Sequence, residues 1–246
     1  MTAAKQNGAT IQVFRPIPVE NLKLLVFDLD GTLADTTVDL ANSMNATLRH
    51  FDMDPLPDQT VASFVGNGVP MLLRRSLARS GGIPIEKISE DMLAPYYSFI
   101  LDDYIAHELD NTLLYPGAAE SLSALHEQAA KGRWSMAVLT NKPERPAREI
   151  LAGLGVAQFF VKIYGGDSLP VRKPDPKGLF LLMQETGATP EETVEIGDSK
   201  TDVQTARNAG AWSLGCEFGY GPQNVMEIPP DILVTSAKEW ATVLMP

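Results

Sequence analysis

Cysteine is almost missing from this chain: Cys216 is the single one among 246 residues, so no internal disulfide framework can hold the fold. It lies in AWSLGCEF, behind a strand-like stretch, which suits a buried structural thiol better than a nucleophile. Histidine is nearly as scarce. His50, His107 and His126 fall in expected helices without ligand spacing, which argues against a zinc site or a Cys–His nucleophile. Positive charge is outnumbered, 20 Lys and Arg against 31 Asp and Glu, and the net charge of −11 argues against a nucleic-acid or anionic-membrane surface. No apolar run approaches the roughly 20 residues that span a bilayer. Glycine-rich Walker or dinucleotide loops, internal repeats and low-complexity tracts are absent as well. Residues 1–20 carry neither a signal-peptide apolar centre nor an Arg-rich amphipathic pattern, and are expected to form a loose leader with IQVF lying against the core. A cytoplasmic protein is the expectation.

What is present is an apolar share of 44%, enough for a sizeable core, arranged in a regular alternation. WSMAVLT, FFVKIYGG, TVEIG, AWSLGCEF and ILVTS read as strands. PERPAREILAGLG, DPKGLFLLMQETG, SKTDVQTARNAG and SAKEWATVL read as the helices that follow. Short apolar runs alternating with helical patterns of this length imply βαβ units and a mostly parallel sheet, to which LLVF at residues 24–27 also belongs. Residues 35–112 break the rhythm. Leu40, Met44 and Leu48 recur at helical spacing, as do Leu93, Tyr96, Ile100 and Tyr104, with no strand candidate between them. The expected architecture is therefore α/β: a Rossmann-like core over 21–34 and 113–246, interrupted by an all-helical insertion over 35–112.

In an open α/β sheet, ligands bind at the carboxyl ends of strands. Four such ends carry chemistry here. After LLVF come Asp28, Leu29, Asp30, Gly31 and Thr32. Alternation sends both carboxylates to one side, where one suits a nucleophile and the other an acid/base partner. Gly31 allows close backbone approach, and the amides of Gly31 and Thr32 suit an anion. The plainer alternative is a turn whose aspartates satisfy backbone donors. Thr140 and Asn141 precede Pro143 in a strand-to-helix turn, suited to an anion or to simple helix capping. Lys173 stands in RKPDP, kept out of a helix by Pro174, either as a solvated charge or as the cation that a carboxylate cluster needs. Asp198 ends TVEIGD, and Asp202 follows where a starting helix returns to the same face; such carboxylates describe a Mg²⁺ site, or a capped helix with an exposed acid.

These stations, in this order, resemble the haloacid-dehalogenase-like superfamily, with the insertion placed like its C1 helical cap. FVGNGVPMLLRRSL, TNKPERPAREIL, GGDSLPVRKPDP, EIGDSKTDVQTARNAGA and FGYG resemble in particular its phosphoglycolate phosphatase branch. The resemblance implies an aspartyl-phosphate on Asp28, acid/base work by Asp30, phosphoryl contacts from Thr140 and the Asn141 backbone, and charge neutralisation by Lys173. It implies Mg²⁺ on Asp28, the Asp30 carbonyl and Asp198, with Asp202 supporting. The expected substrate is a small anionic phosphate ester, with 2-phosphoglycolate foremost. A sugar-phosphate mutase or a phosphatase of another small phosphate would share the core residues. Asp30 speaks against a dehalogenase, and Lys87, alone of its kind in the insertion, gives little support for a phosphonate hydrolase. A non-catalytic module would have no reason to keep all six side chains. In the insertion, Gly66, Asn67 and Gly68 resemble a specificity loop, or join one helix to the next, and of Arg74 and Arg75, about two turns on, one could reach a substrate carboxylate or both could form a solvated face.

Overall fold

Leu24–Phe27 (β3) is apolar at every position because it is buried throughout, as a central parallel strand must be. The computed structural model describes residues 3–6, 9–220 and 225–245. Preceding β3 are Ala3–Gln6 (β1) and Ala9–Val13 (β2); following it are Ala34–Asp35 (β4), Leu113–Leu114 (β5), Ser135–Leu139 (β6), Lys162–Tyr164 (β7), Thr193–Gly197 (β8), Trp212–Cys216 (β9) and Ile232–Val234 (β10). The main sheet runs in the order β1-β2-β10-β9-β8-β3-β6-β7, parallel from β10 to β7. From β3 the chain moves outward to β6 and β7, then crosses back to β8 on the opposite side. That reversal opens a crevice between the carboxyl ends of β3 and β8, the place where such sheets bind ligands.

Alternate residues of β3 serve opposite faces. Leu24 and Val26 join Leu179, Leu182 and Met183 from Lys177–Thr186 and Ala206 and Ala209 from Lys200–Ala209. Phe27 meets Trp240 of the C-terminal helix Glu239–Leu244 edge-on, at 5.5 Å. Helices on both faces therefore fix the strand in two directions, and the residue after Phe27 inherits that rigidity.

The N-terminal stretch departs from the expected loose leader. Its β2 segment pairs antiparallel with β10, Val13 opposite Ile232, and β1 folds back on β2. ATIQV alternates with strand period, and β10 would otherwise present an unpaired sheet edge. Met1, Thr2, Asn7 and Gly8, and Gly221 of the FGYG segment, lie outside the described residues. The residue types at Asp175-Pro176 suit an aspartate cap followed by proline as the first helical residue, but helix Lys177–Thr186 starts a residue later, because Asp175 accepts the Lys177 amide at 2.9 Å and Pro176 takes the cap.

By contacts the chain divides into Met1–Asp35 with Leu114–Pro246, and Thr36–Leu113. The second unit is built from Thr37–His50 (α1), Asp58–Ala62 (α2), Val69–Gly81 (α3) and Glu90–His107 (α4). Leu40, Met44 and Leu48 of α1 and Leu93, Ile100 and Tyr104 of α4 are buried, while Tyr96 is half-buried and lies 4.2 Å from the Phe51 ring. One carboxylate joins the unit's two ends. Asp39, in the first turn of α1, accepts the Asn111 and Thr112 amides at 3.0 and 2.8 Å, and the Asn111 Nδ2 and Thr112 hydroxyl at 2.8 Å each. Among the described residues no helix is long and apolar enough to cross a membrane.

Candidate active site

Asp28 is the first residue beyond β3, and its amide still donates to Ile196 across to β8, at 2.9 Å. Its carboxylate is therefore held by sheet register rather than by a loop. Lys173, from the loop before the Lys177 helix, comes within 3.2 Å of Asp28 Oδ1, 2.5 Å of Asp202 Oδ1 and 3.4 Å of Glu195 Oε1. The lysine is 7% exposed and Asp202 1%, so this is a charge cluster removed from water. Among the described residues Asp28 Oδ1 nevertheless accepts no hydrogen bond; Lys173 meets it as a charge and not as an aligned donor.

Asp198 follows β8 on the other side of the crevice. Its carboxylate accepts the Thr32 hydroxyl at 3.3 Å and the Tyr220 amide at 2.9 Å. A side chain on Gly31, whose φ is +86°, would collide with that carboxylate, and one on Gly219 would strike both Asp198 and the Gly31 carbonyl. Asp202 is part of a capping box with Ser199, whose amide and hydroxyl reach its Oδ2 at 3.0 and 2.7 Å. It thus completes the helix cap and holds Lys173 at once, and the reading of Asp202 as an exposed acid beside a capped helix fails, because the residue is buried.

Thr140 and Asn141 end β6. The Thr140 hydroxyl accepts the Lys142 amide at 3.2 Å, and Asn141 Nδ2 donates to the Lys173 carbonyl at 3.1 Å, tying the second strand end to the lysine loop. The anion-binding expectation for Gly31 and Thr32 needs revision in detail. Their amides serve the loop itself, donating to Ala34 O at 3.0 Å and Leu29 O at 3.2 Å, and the Thr32 hydroxyl is committed to Asp198.

Four participants carried no role in the sequence reading. Lys142 places Nζ 3.0 and 3.3 Å from the two carboxylate oxygens of Asp30. Glu195 reaches Lys173 from inside β8; a glutamate within the apolar run TVEIG was a readable sign, because a buried acid needs a partner. The Tyr220 amide and Gly219 wall left only the FGYG string as a signal.

Burial sets the electrostatics. It pushes Asp28 up to about 6, with Asp202 and Asp30 adding to the shift and Lys173 opposing it. Burial likewise raises Asp198 and Glu195 well above the carboxylate range, with Asp202 adding in both, while Lys173 opposes the shift in Glu195. Desolvation works against the Lys173 ammonium, but Asp202, Asp28 and Glu195 outweigh it and hold the lysine charged. One ammonium among four buried carboxylates leaves the cluster short of positive charge. Oxygens of Asp28, Asp198 and Asp202 all lie within 4.8 Å of one another, and Asp28 Oδ1 awaits a partner. Hard oxygen donors with that deficit fit a divalent cation such as Mg²⁺.

In the helical unit, Gly66 and Gly68 take positive φ, +107° and +81°, and Gly68 caps α3. Arg75 turns back to this loop, donating to Phe64 O and Asn67 Oδ1 at 3.0 Å each, whereas Arg74 is committed to Glu90 at 2.5 Å. Partial burial lowers the Arg75 pKa.

A family model described as haloacid dehalogenase-like hydrolase matches residues 25–216. A protein of Pseudomonas putida named phosphoglycolate phosphatase is 39% identical over 199 residues, 80% of this chain and 70% of its own length. One of the same name from Vibrio parahaemolyticus is 35% identical over 229 residues, 92% of this chain and 97% of its own. The crystal structure of a "predicted phosphoglycolate phosphatase" from Haemophilus somnus superposes with a TM-score of 0.83 at 29% identity, covering 91% of this chain and 98% of that one.

Proposed function

We propose, since this chain belongs to the haloacid dehalogenase-like hydrolases, that it is a phosphatase hydrolysing a small anionic phosphomonoester, 2-phosphoglycolate foremost, through a phosphoenzyme on Asp28. One observation carries this reading. Asp28 stands rigidly at the end of the central strand, stripped of water and 3.2 Å from Lys173, with Oδ1 accepting no hydrogen bond.

The Asp28 carboxylate bonds to phosphorus as the ester P–O bond breaks, and Asp30 gives its proton to the leaving oxygen. Asp30, now a carboxylate, takes a proton from water. The water oxygen displaces Asp28 from phosphorus, which releases inorganic phosphate and restores the nucleophile. The Thr140 hydroxyl and Asn141 amide hold the phosphoryl oxygens beside the Gly31-Thr32 loop. Lys173 offsets their charge as it grows. Asp28, the Asp30 carbonyl and Asp198 would hold Mg²⁺, with Asp202 fixing Lys173 beside them. Once bound, the ion neutralises charge on the phosphoryl group. Arg75, with Asn67 and Gly68, recognises the substrate carboxylate from the helical unit. A reducing cytoplasm suits the lone buried thiol.

Phosphate release from 2-phosphoglycolate and a panel of small esters, with Mg²⁺ and with EDTA, tests the reading. Release that requires Mg²⁺ and disappears in Asp28→Asn supports it. No release from any ester overturns it, and an isomerised sugar phosphate in place of free phosphate moves the chain to the mutases.

A further inference from the structure

We propose that Lys142 is a positioning residue that grips both oxygens of Asp30 and so aims that carboxyl at the leaving oxygen of the substrate. The inference rests on the phosphatase reading above. Lys142 is 5% exposed, and its Nζ stands 3.0 Å from Oδ1 and 3.3 Å from Oδ2 of Asp30. A lysine taken out of water is costly to place and does nothing for solubility, so its position answers to its partner.

The lysine end of the pair is anchored independently. The Lys142 amide donates to the Thr140 hydroxyl at 3.2 Å, and its carbonyl accepts the Gly166 amide at 2.7 Å. Gly166 sits so close that a Cβ there would collide with the Asn141 carbonyl. Pro143 then caps the helix Glu144–Gly153, which fixes the direction in which the chain leaves. Asp30 lies on the loop before Gly31, beyond the end of β3. An ammonium within reach of both oxygens restricts how its carboxyl can turn.

The chemistry gives the grip a purpose. When Asp30 has passed its proton to the ester oxygen, the carboxylate left behind already faces a cation, in the arrangement it needs to receive a proton from water. Lys173 cannot do this, since Asp28, Glu195 and Asp202 already engage it.

The test compares leaving groups that need a proton with one that does not. In Lys142→Met, kcat/KM, which reports steps up to departure of the alcohol, should fall at least about 10-fold further on an alkyl phosphate such as 2-phosphoglycolate than on 4-nitrophenyl phosphate. Lys142→Arg, which keeps the charge and guards against a variant that fails to fold, should recover part of that gap. In an Asp30→Asn background, removing Lys142 should cost little more. Equal losses on the two esters, no loss on either, or full additivity with Asp30→Asn overturns the proposal. A wild-type protein inert on both esters overturns the phosphatase reading beneath it, and that result is distinct from a failure of Lys142 alone.

Discussion

The strand-end cluster and the Gly66–Arg75 loop of the helical unit make opposite use of charge. In the cluster, Asp28, Lys173, Asp198 and Asp202 are all under a tenth exposed, and Lys173 alone answers three acids. In the loop, Arg75 is held by one carbonyl and one amide oxygen, with Asn67 exposed to solvent. The charged groups of the cluster are desolvated and gathered at the strand ends, where their charges act at full strength. Groups suited to recognition stay solvated, and their contacts are few enough to be exchanged for a ligand's.

The sharpest way to break this contrast is to remove the shared cation. Lys173→Met leaves three acids facing one another out of water. It should lower stability by about 3–5 kcal/mol, the usual cost of orphaning buried charge, and kcat by about 10²–10³-fold. Denaturant unfolding and steady-state kinetics would read both. Loss of activity with unchanged stability would mean that the cluster is not electrostatically coupled.

A smaller effect follows from Asp28, whose pKa moves from 3.8 to about 6, chiefly by burial. Because the folded value lies above the unfolded one, ionising this acid costs stability. The cost is absent below about pH 4 and complete above about pH 6, so the metal-free protein should lose stability as pH rises through that window. Asp198 and Glu195, raised in the same direction, extend the loss upward. Lys173, raised among its acids, stays charged across the window and adds no slope there. Mg²⁺ should therefore raise the melting temperature more at pH 7.5 than at pH 5. An equal gain at both would separate ion binding from the buried acids.

Smallest of the three is the loop. Arg75→Ala should raise KM about 10-fold for a carboxylate-bearing ester relative to one without, as expected for losing one charge-assisted contact. Stability should change by about 0.5 kcal/mol or less. A larger stability loss would make Arg75 a structural strut.

Much of the strand-end half was legible in the chain because its signals are local. Three apolar runs each stop beside a residue able to do chemistry, the loop after a fourth carries Lys173, and sheet topology carries these ends to one edge. Lys142 and Glu195 were not legible in role. Their meaning lies in partners 112 and 22 residues away, Asp30 and Lys173, and nothing in spacing announces such a pairing. The N-terminal strands were missed for a related reason: a short alternating run becomes a strand only when a sheet edge is offered to it. Helix starts at Pro143 and Pro176 shifted by one residue, because a proline can serve as the cap as well as the first helical residue.

Asp39 has an evolutionary consequence. By clasping Asn111 and Thr112 it brings the start of α1 and the stretch after α4 together at one knot. A module tied off in this way can be lengthened, trimmed or exchanged for another while the strands bearing the reactive acids stay untouched. New substrates then become reachable by swapping cassettes, with no rebuilding of the chemistry.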